Sequence, residues 1–358
     1  MLSDIYQLKP LQRTYLTVTM SRVSRSFALV VPWLEDPLQD HVAAAYLLCR
    51  ALDNIEDCTQ PLTWQKARFA EFSRLLIEPE DAMEVVAGWE EEAWPGLSAE
   101  EQSLMTLEGG LPLWLIYAGF PERTRSIISS WILIMARGME QVLDPTQQSP
   151  VVVHDNVRLL TTAQAYNEYC YSVAGTVGGL GTELVIDHYG LPETLRHRLL
   201  AGSEACGRAL QKTNILKDFV KDLERQICYL PHEWLREINH SPLELAGAPV
   251  GWIQALLGDI LGELRNATSY VLDVPRHAGG YRISCLMCLL PAYETIFHAA
   301  QRQADLFTSG HQIKIARATM LQCIHNAVSM ATDDTAIRRA SETLEQETLT
   351  TLGVGVAA

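Results

Sequence analysis

The stretch Leu210-Gln211-Lys212-Thr213-Asn214-Ile215-Leu216-Lys217-Asp218-Phe219-Val220-Lys221-Asp222 decides the fold. Gln211, Asn214, Asp218 and Asp222 follow an i, i+3, i+7, i+11 spacing, which is one face of an α-helix. Asp218 and Asp222 therefore sit one turn apart. Apolar positions flank this polar stripe, so the spacing predicts that it faces inward. A second acidic element, Asp53-Asn54-Ile55-Glu56-Asp57, repeats the pattern at the end of a helix predicted to begin near Asp40. Arg50 lies one turn before Asp53.

Working outward, the periodicity is helical almost throughout. Long helices are predicted over 160–187, 192–224, 252–272, 283–303 and 313–330. Asp36-Pro37, Glu78-Pro79, Trp94-Pro95-Gly96, Asp144-Pro145, Gly190-Leu191-Pro192 and His277-Ala278-Gly279-Gly280 punctuate them. Val151-Val152-Val153 suits a short strand, but no alternation runs long enough to predict a sheet. No low-complexity linker divides the chain. The expectation is one all-α domain of about ten helices.

The 358 residues carry a net charge of -15, which disfavours nucleic acid as a partner through repulsion from phosphate. No segment reads as a membrane span: the apolar run 111–120 is ten residues, against roughly 20 needed. The N-terminus lacks the apolar region of a signal peptide. Eight scattered cysteines, with Cys285 and Cys288 as the one C-x-x-C pair, fit buried thiols in a reducing cytoplasm. Residues 78–101 hold nine acids and no Lys or Arg, which suits a solvated surface segment. Residues 5–34 hold Lys9, Arg13, Arg22 and Arg25 and no acids.

Two carboxylates at i and i+4 repel by roughly a few tenths of a kcal/mol on an isolated helix. Buried, they need compensation. A hard dication such as Mg²⁺ supplies it and takes carboxylates together with substrate phosphates. Two D-x-x-x-D helices thus point to a metal cluster that holds a diphosphate; the alternative is a salt-bridged surface stripe. Ser24-Arg25-Ser26-Phe27 offers a guanidinium and two hydroxyls, either for phosphate oxygens or as an ordinary capped helix start. Lys314 and Arg317, at i and i+3, are either a second anionic contact or solvated helix residues. The glycines within 169–181 match no dinucleotide fingerprint. They serve close approach, either of another helix or of a long apolar ligand. Tyr169 and Tyr171 beside them could present an aromatic face to a cation.

Taken together, Ser24 to Phe27, Tyr46 to Asp57, Tyr169 to Gly175 and Leu210 to Asp222 resemble the squalene synthase branch of the head-to-head trans-prenyl synthases, which include phytoene and dehydrosqualene synthases. The matches run in family order from about residue 21 to 320. Lys212 resembles the squalene synthase branch in particular, as do the 288–291 and 314–317 regions. The resemblance implies an all-α isoprenoid-synthase fold, a single helical domain around a central cavity. It implies Mg²⁺ on Asp53, Asp57, Asp218 and Asp222, and diphosphate near Ser24, Arg25, Ser26, Phe27, Tyr46, Arg50, Gln211, Asn214 and Lys217. It places NADPH near Arg25, Lys314 and Arg317, and assigns catalytic assistance to Tyr169 and Tyr171.

The implied reaction joins two molecules of farnesyl diphosphate into presqualene diphosphate, then reduces it with NADPH to squalene. The alternative is a non-reducing synthase making dehydrosqualene, phytoene or presqualene diphosphate. A non-catalytic prenyl-diphosphate binder would not need both aspartate pairs. The chain departs from the family's pattern at Ser172, where a tyrosine is common, and at Lys217, where arginine is common. Arg225 lies nearest to a position, near Ile227, that usually holds arginine. The hydrophobic C-terminal anchor of eukaryotic relatives is not found. The expectation is a bacterial-type enzyme, cytoplasmic or peripheral to the inner face of the membrane.

Overall fold

The computed structural model describes residues 8–24, 26–143, 150–310 and 313–353. The chain divides into two compact units. The first comprises Met1–Asp144 and Gly179–Leu191; the second comprises Pro145–Gly178 and Pro192–Ala358.

In the first unit, the Leu38–Asp57 helix is apolar on most of its surface, and Leu47, Leu48, Leu52 and Ile55 are fully buried. It packs against the Pro10–Val23, Leu62–Ile77 and Glu122–Leu143 helices. An aromatic cluster fills the neighbouring core. Phe72 meets Trp114 edge-on at 5.1 Å, and Trp114 meets Tyr117 at 6.1 Å. Such pairs add about 1 kcal/mol each beyond their area burial. The acidic 78–101 segment is more engaged than a solvated surface would be. Asp81 pairs with Arg74, Glu92 with Arg68, and Glu101 with Arg50.

In the second unit, the Glu204–Glu224 helix packs against the Val250–Asp273 and Gly279–Gln301 helices. The predicted 192–224 helix is two helices, Glu193–Gly202 and Glu204–Glu224, with the break at Ser203. The predicted 160–187 helix begins at Ala163, passes through a π-helical turn at Tyr171–Gly175 and continues as Thr176–Tyr189.

A sheet is present, contrary to the sequence-based expectation. Val151–His154 pairs antiparallel with Val157–Leu160, which pairs parallel with Ile227–Cys228. Strands of four, four and two residues are too short to show alternation. The hairpin turns on Asp155 and Asn156, both at positive φ, which these residue types tolerate. The third strand arrives from about 70 residues away, a pairing no local pattern encodes. It follows directly on the Glu204–Glu224 helix and pins the chain at that end.

Gly279–Gln301 is long and apolar enough to cross a membrane, which corrects the expectation that no segment is. Two thirds of its most apolar window is buried within the protein. It also carries Arg282, only 1% exposed. The Arg282 guanidinium donates to the carbonyls of Ala331 and Val274 and to Asp334 Oδ1, at 2.5, 2.6 and 2.5 Å. A core helix tied down by a buried cation is the reading that fits these contacts. All eight cysteines are free thiols, half-buried or buried.

Candidate functional site

Asp53 and Asp57 occupy the last turn and a half of the Leu38–Asp57 helix. That end is held by Gln65, whose Nε2 lies 3.0, 3.0 and 2.9 Å from the carbonyl oxygens of Ile55, Glu56 and Cys58. These carbonyls have no partner within the helix, so a buried amide donor satisfies them. Asn54, inside the acidic motif, points away from the carboxylates and donates to the Glu101 carbonyl at 2.7 Å.

Arg50 reaches Asp53 Oδ2 through Nη1 at 3.4 Å and donates through Nη2 to Glu101 Oε1. Its Nε is buried without a hydrogen-bond partner. Burial pushes the Asp53 carboxyl up to about 7; Arg50 opposes this and Asp57 adds to it. Water still reaches the group, because 28% of its side-chain surface is exposed. Burial also acts to raise Glu101, but hydrogen bonds from Ser98 and the charge of Arg50 outweigh it and hold that carboxyl low.

Ser24, Phe27 and Tyr46 come together. The Phe27 N–H donates to Ser24 Oγ at 3.1 Å. The Phe27 and Tyr46 rings stack at 4.5 Å. Ser24 thus acts as a cap, the plainer of its two sequence readings. Ser26 is exposed, and Arg25 lies outside the described residues.

In the second unit, Gln211, Lys217, Asp218 and Asp222 are half-buried and Asn214 is exposed. The stripe is thus accessible rather than packed into its unit's core. Lys217 donates to Asn214 Oδ1 at 3.0 Å and approaches Asp218 Oδ2 at 3.4 Å. Lys212 lies on a different face and is 1% exposed. Its ammonium reaches Asp259 at 2.8 Å and Glu263 at 3.0 Å, and sits 5.3 Å from the Tyr166 ring centre. The residue that marks the branch in the sequence is therefore an internal ion pair, not a surface phosphate ligand.

The glycine-rich run serves helix packing. A Cβ on Gly178 would lie 2.1 Å from the Ser203 carbonyl oxygen, and one on Gly207 would lie 1.9 Å from that of Ala174. Tyr169 is buried and stacks on Tyr229 at 4.7 Å. Tyr171 opens the π-helical turn and is half-buried, and burial raises its hydroxyl, with Glu204 adding. Single π turns recur at functional sites because they re-aim side chains within a helix. Lys314 and Arg317 are both exposed, but they do not share a helical face. The helix starts at Arg317, after Ala316 in extended conformation, and buried Ile313 anchors the segment before it.

Within either unit, among the described residues, no three His, Cys, Asp or Glu side chains gather closely enough to hold a metal unaided. The donor chemistry nonetheless fits a hard dication that completes its shell with water and phosphate. It consists of two carboxylates one turn apart, Asp53 raised by burial against the opposing charge of Arg50. Sequence reasoning missed Glu101, Gln65 and Asn54. The Ser98-x-x-Glu101 capping box was locally readable. The contact from Glu101 to Arg50, 51 residues away, was not.

The helix content and the likeness to solved structures define an all-α isoprenoid-synthase fold. The model of the family described as squalene/phytoene synthase matches residues 20–319, and the chain belongs to that family. A squalene synthase of Candida albicans is 29% identical over 275 residues, covering 74% of this chain and 56% of the relative. The Homo sapiens squalene synthase is 25% identical over 222 residues, covering 62% and 47%. The chain thus spans about half the length of the curated relatives it matches.

Among solved structures, the complex of TcSQS with the ligand E5700 superposes with a TM-score of 0.74 at 21% identity, covering 96% of this chain and 98% of that one. A dehydrosqualene synthase in complex with ligand gives 0.60 at 18%, covering 89% and 96%. Squalene synthase HpnC from Alicyclobacillus acidocaldarius gives 0.54 at 17%, covering 83% and 97%. These likenesses establish the fold.

Proposed function

We propose that the protein is a prenyltransferase-type enzyme that condenses two farnesyl diphosphates head to head into presqualene diphosphate and then reduces it, with NADPH, to squalene. The observation that carries this reading is the Asp53 and Asp57 pair one turn apart beside the Arg50 guanidinium, in a chain whose residues 20–319 match the squalene/phytoene synthase family. Such a pair is completed by a cation and the anion that travels with it.

Asp53 and Asp57 in the first unit, and Asp218 and Asp222 in the second, would each hold Mg²⁺, which supplies charge neutralisation for a diphosphate leaving group. Arg50 would help orient the diphosphate, and Lys217 would contribute a point charge rather than a bidentate fork. With Ser24 committed to capping, its contribution is to place Phe27 against Tyr46. Ser26 and Gln211 remain accessible to phosphate oxygens. Tyr171, with a hydroxyl raised by burial, stays neutral at pH 7 and offers an aromatic face to a carbocation. Tyr169 supports it from the core. The exposed cations Lys314 and Arg317 suit the phosphates of a nicotinamide dinucleotide, which supplies the hydride.

On this reading residues 1–358 work as one trans-prenyl synthase domain of isoprenoid biosynthesis, in the cytoplasm or at the inner face of the membrane. A non-reducing synthase is the second reading. The buried Lys212 favours it in one respect, because the residue that marks the reducing branch is not free to touch a cofactor.

The deciding experiment incubates the protein with farnesyl diphosphate and MgCl₂, with and without NADPH, and identifies products by mass spectrometry. Squalene formed only with NADPH is the expected result. Dehydrosqualene or presqualene diphosphate under both conditions would remove the reductive half and keep the condensation.

A further inference from the structure

Glu101 lies in the acidic segment, outside every motif that carries the family resemblance, yet it is the best-anchored partner of Arg50. Its two carboxylate oxygens have separate tasks. Oε2 accepts the Ser98 N–H at 2.8 Å, and Oε1 accepts from Arg50 Nη2. The Glu101 N–H returns to Ser98 Oγ at 3.3 Å, and its carbonyl accepts from Asn54 at 2.7 Å. Backbone and side chain are therefore both fixed, and the carboxylate cannot follow Arg50 if the guanidinium moves.

Arg50 has a strong alternative. It stands three residues before Asp53, a spacing at which a guanidinium folds readily onto a carboxylate. Here that contact is long, 3.4 Å through Nη1, and Nε is left without a partner although buried. A charge-assisted fork onto Asp53 would satisfy Arg50 better within the pair alone. It would also spend the donors and the carboxylate that a magnesium diphosphate needs.

We propose that Glu101 is a positioning residue that limits Arg50 to a single long contact with Asp53 and so leaves the Asp53 carboxylate open to a magnesium-held diphosphate. This rests on the functional reading above. Outer partners of this kind typically carry about 10- to 100-fold in affinity.

The test is calorimetric titration of the full-length protein with inorganic diphosphate in MgCl₂. Wild type, Glu101→Ala, Glu101→Gln, Arg50→Ala and the Arg50→Ala/Glu101→Ala double variant are compared, with circular dichroism confirming the fold. Glu101→Ala should weaken binding roughly tenfold, towards the low end of that range. Glu101→Gln should lose less, because one acceptor remains for Arg50. In the Arg50→Ala background, removing Glu101 should add nothing.

Independent, additive losses would overturn the proposal and leave Glu101 a helix cap. So would an equal loss in Ser98→Ala, which weakens the cap and spares the carboxylate. A crystal structure of Glu101→Ala is the second readout: Arg50 should lie on Asp53, and an unmoved guanidinium overturns the assignment. Wild-type protein that binds no diphosphate in MgCl₂ overturns the functional reading itself and the Glu101 role with it. Wild-type binding with additive losses overturns the Glu101 role alone.

Discussion

The ammonium of Lys212 lies 3.0 Å from Glu263 Oε1, with 1% of the lysine side chain exposed. Asp259 completes the pairing at 2.8 Å, and Arg208 holds the other Glu263 oxygen at 3.0 Å. This network joins the Glu204–Glu224 helix, which carries Asp218 and Asp222, to the Val250–Asp273 helix. Removing Lys212 leaves the buried Glu263 carboxylate with Arg208 alone and takes the cation from Asp259. Lys212→Met should therefore cost about 3 kcal/mol, read as a fall in the urea midpoint at unchanged slope. The Lys212→Met/Glu263→Leu double variant should recover much of that loss. A double variant as unstable as the sum of its singles would show that the ion pair is not the source.

Gln65 should matter more than its neutral amide suggests. Gln65→Leu removes the donor shared by the carbonyls of Ile55, Glu56 and Cys58. The expected cost is about 1–3 kcal/mol, because buried acceptors are left unsatisfied. Hydrogen exchange should locate the loosening at residues 53–58. Uniform destabilisation across the chain would argue against a local capping role.

Asp53→Asn and Asp218→Asn should each remove turnover of farnesyl diphosphate while the helical circular dichroism stays unchanged. Asparagine keeps the shape of the side chain and loses its charge, so the change isolates electrostatics. Retained turnover in both variants would withdraw the metal assignment.

Acid should destabilise the first unit through His41. Burial lowers this imidazole to about 4; the neighbouring His188 adds to the shift and Asp187 opposes it. The unfolded chain binds the proton at about 6.5, while the folded one does so only near 4. Over that window the unfolded state holds more protons, so stability falls as pH drops from about 6.5 to 4 and this contribution then levels off. The full loss is at most about 3.5 kcal/mol, from about 1.4 kcal/mol per pH unit. His41→Gln should flatten this part of the stability profile measured by denaturant titration. Parallel profiles for variant and wild type would show that His41 titrates normally in the fold.

Much of the architecture was legible in one dimension. The helical period around Asp53 and Asp218 was, because a buried helix face repeats every three to four residues and leaves a trace in the sequence. The two aspartate pairs were legible for the same reason: i and i+4 share a face whatever the surroundings. The Ser203 break and the π turn at Tyr171–Gly175 were not, since both helical stretches keep an unbroken apolar pattern. Both coincide with close backbone approach, the Ser203 carbonyl lying against Gly178 and that of Ala174 against Gly207.

The sequence alone determined the helical class, the family resemblance and which carboxylates are paired, because each rests on residue type and local spacing. Tertiary structure decided which charges are spent. Lys212 is consumed by Asp259 and Glu263, 47 and 51 residues away. Arg50 is divided between Asp53 and Glu101, with its buried Nε left without a partner. It also decided that Ile227 pairs with Arg158 in a sheet. Ion pairs and strand partners depend on distances between residues far apart in the chain, and only folding sets those distances.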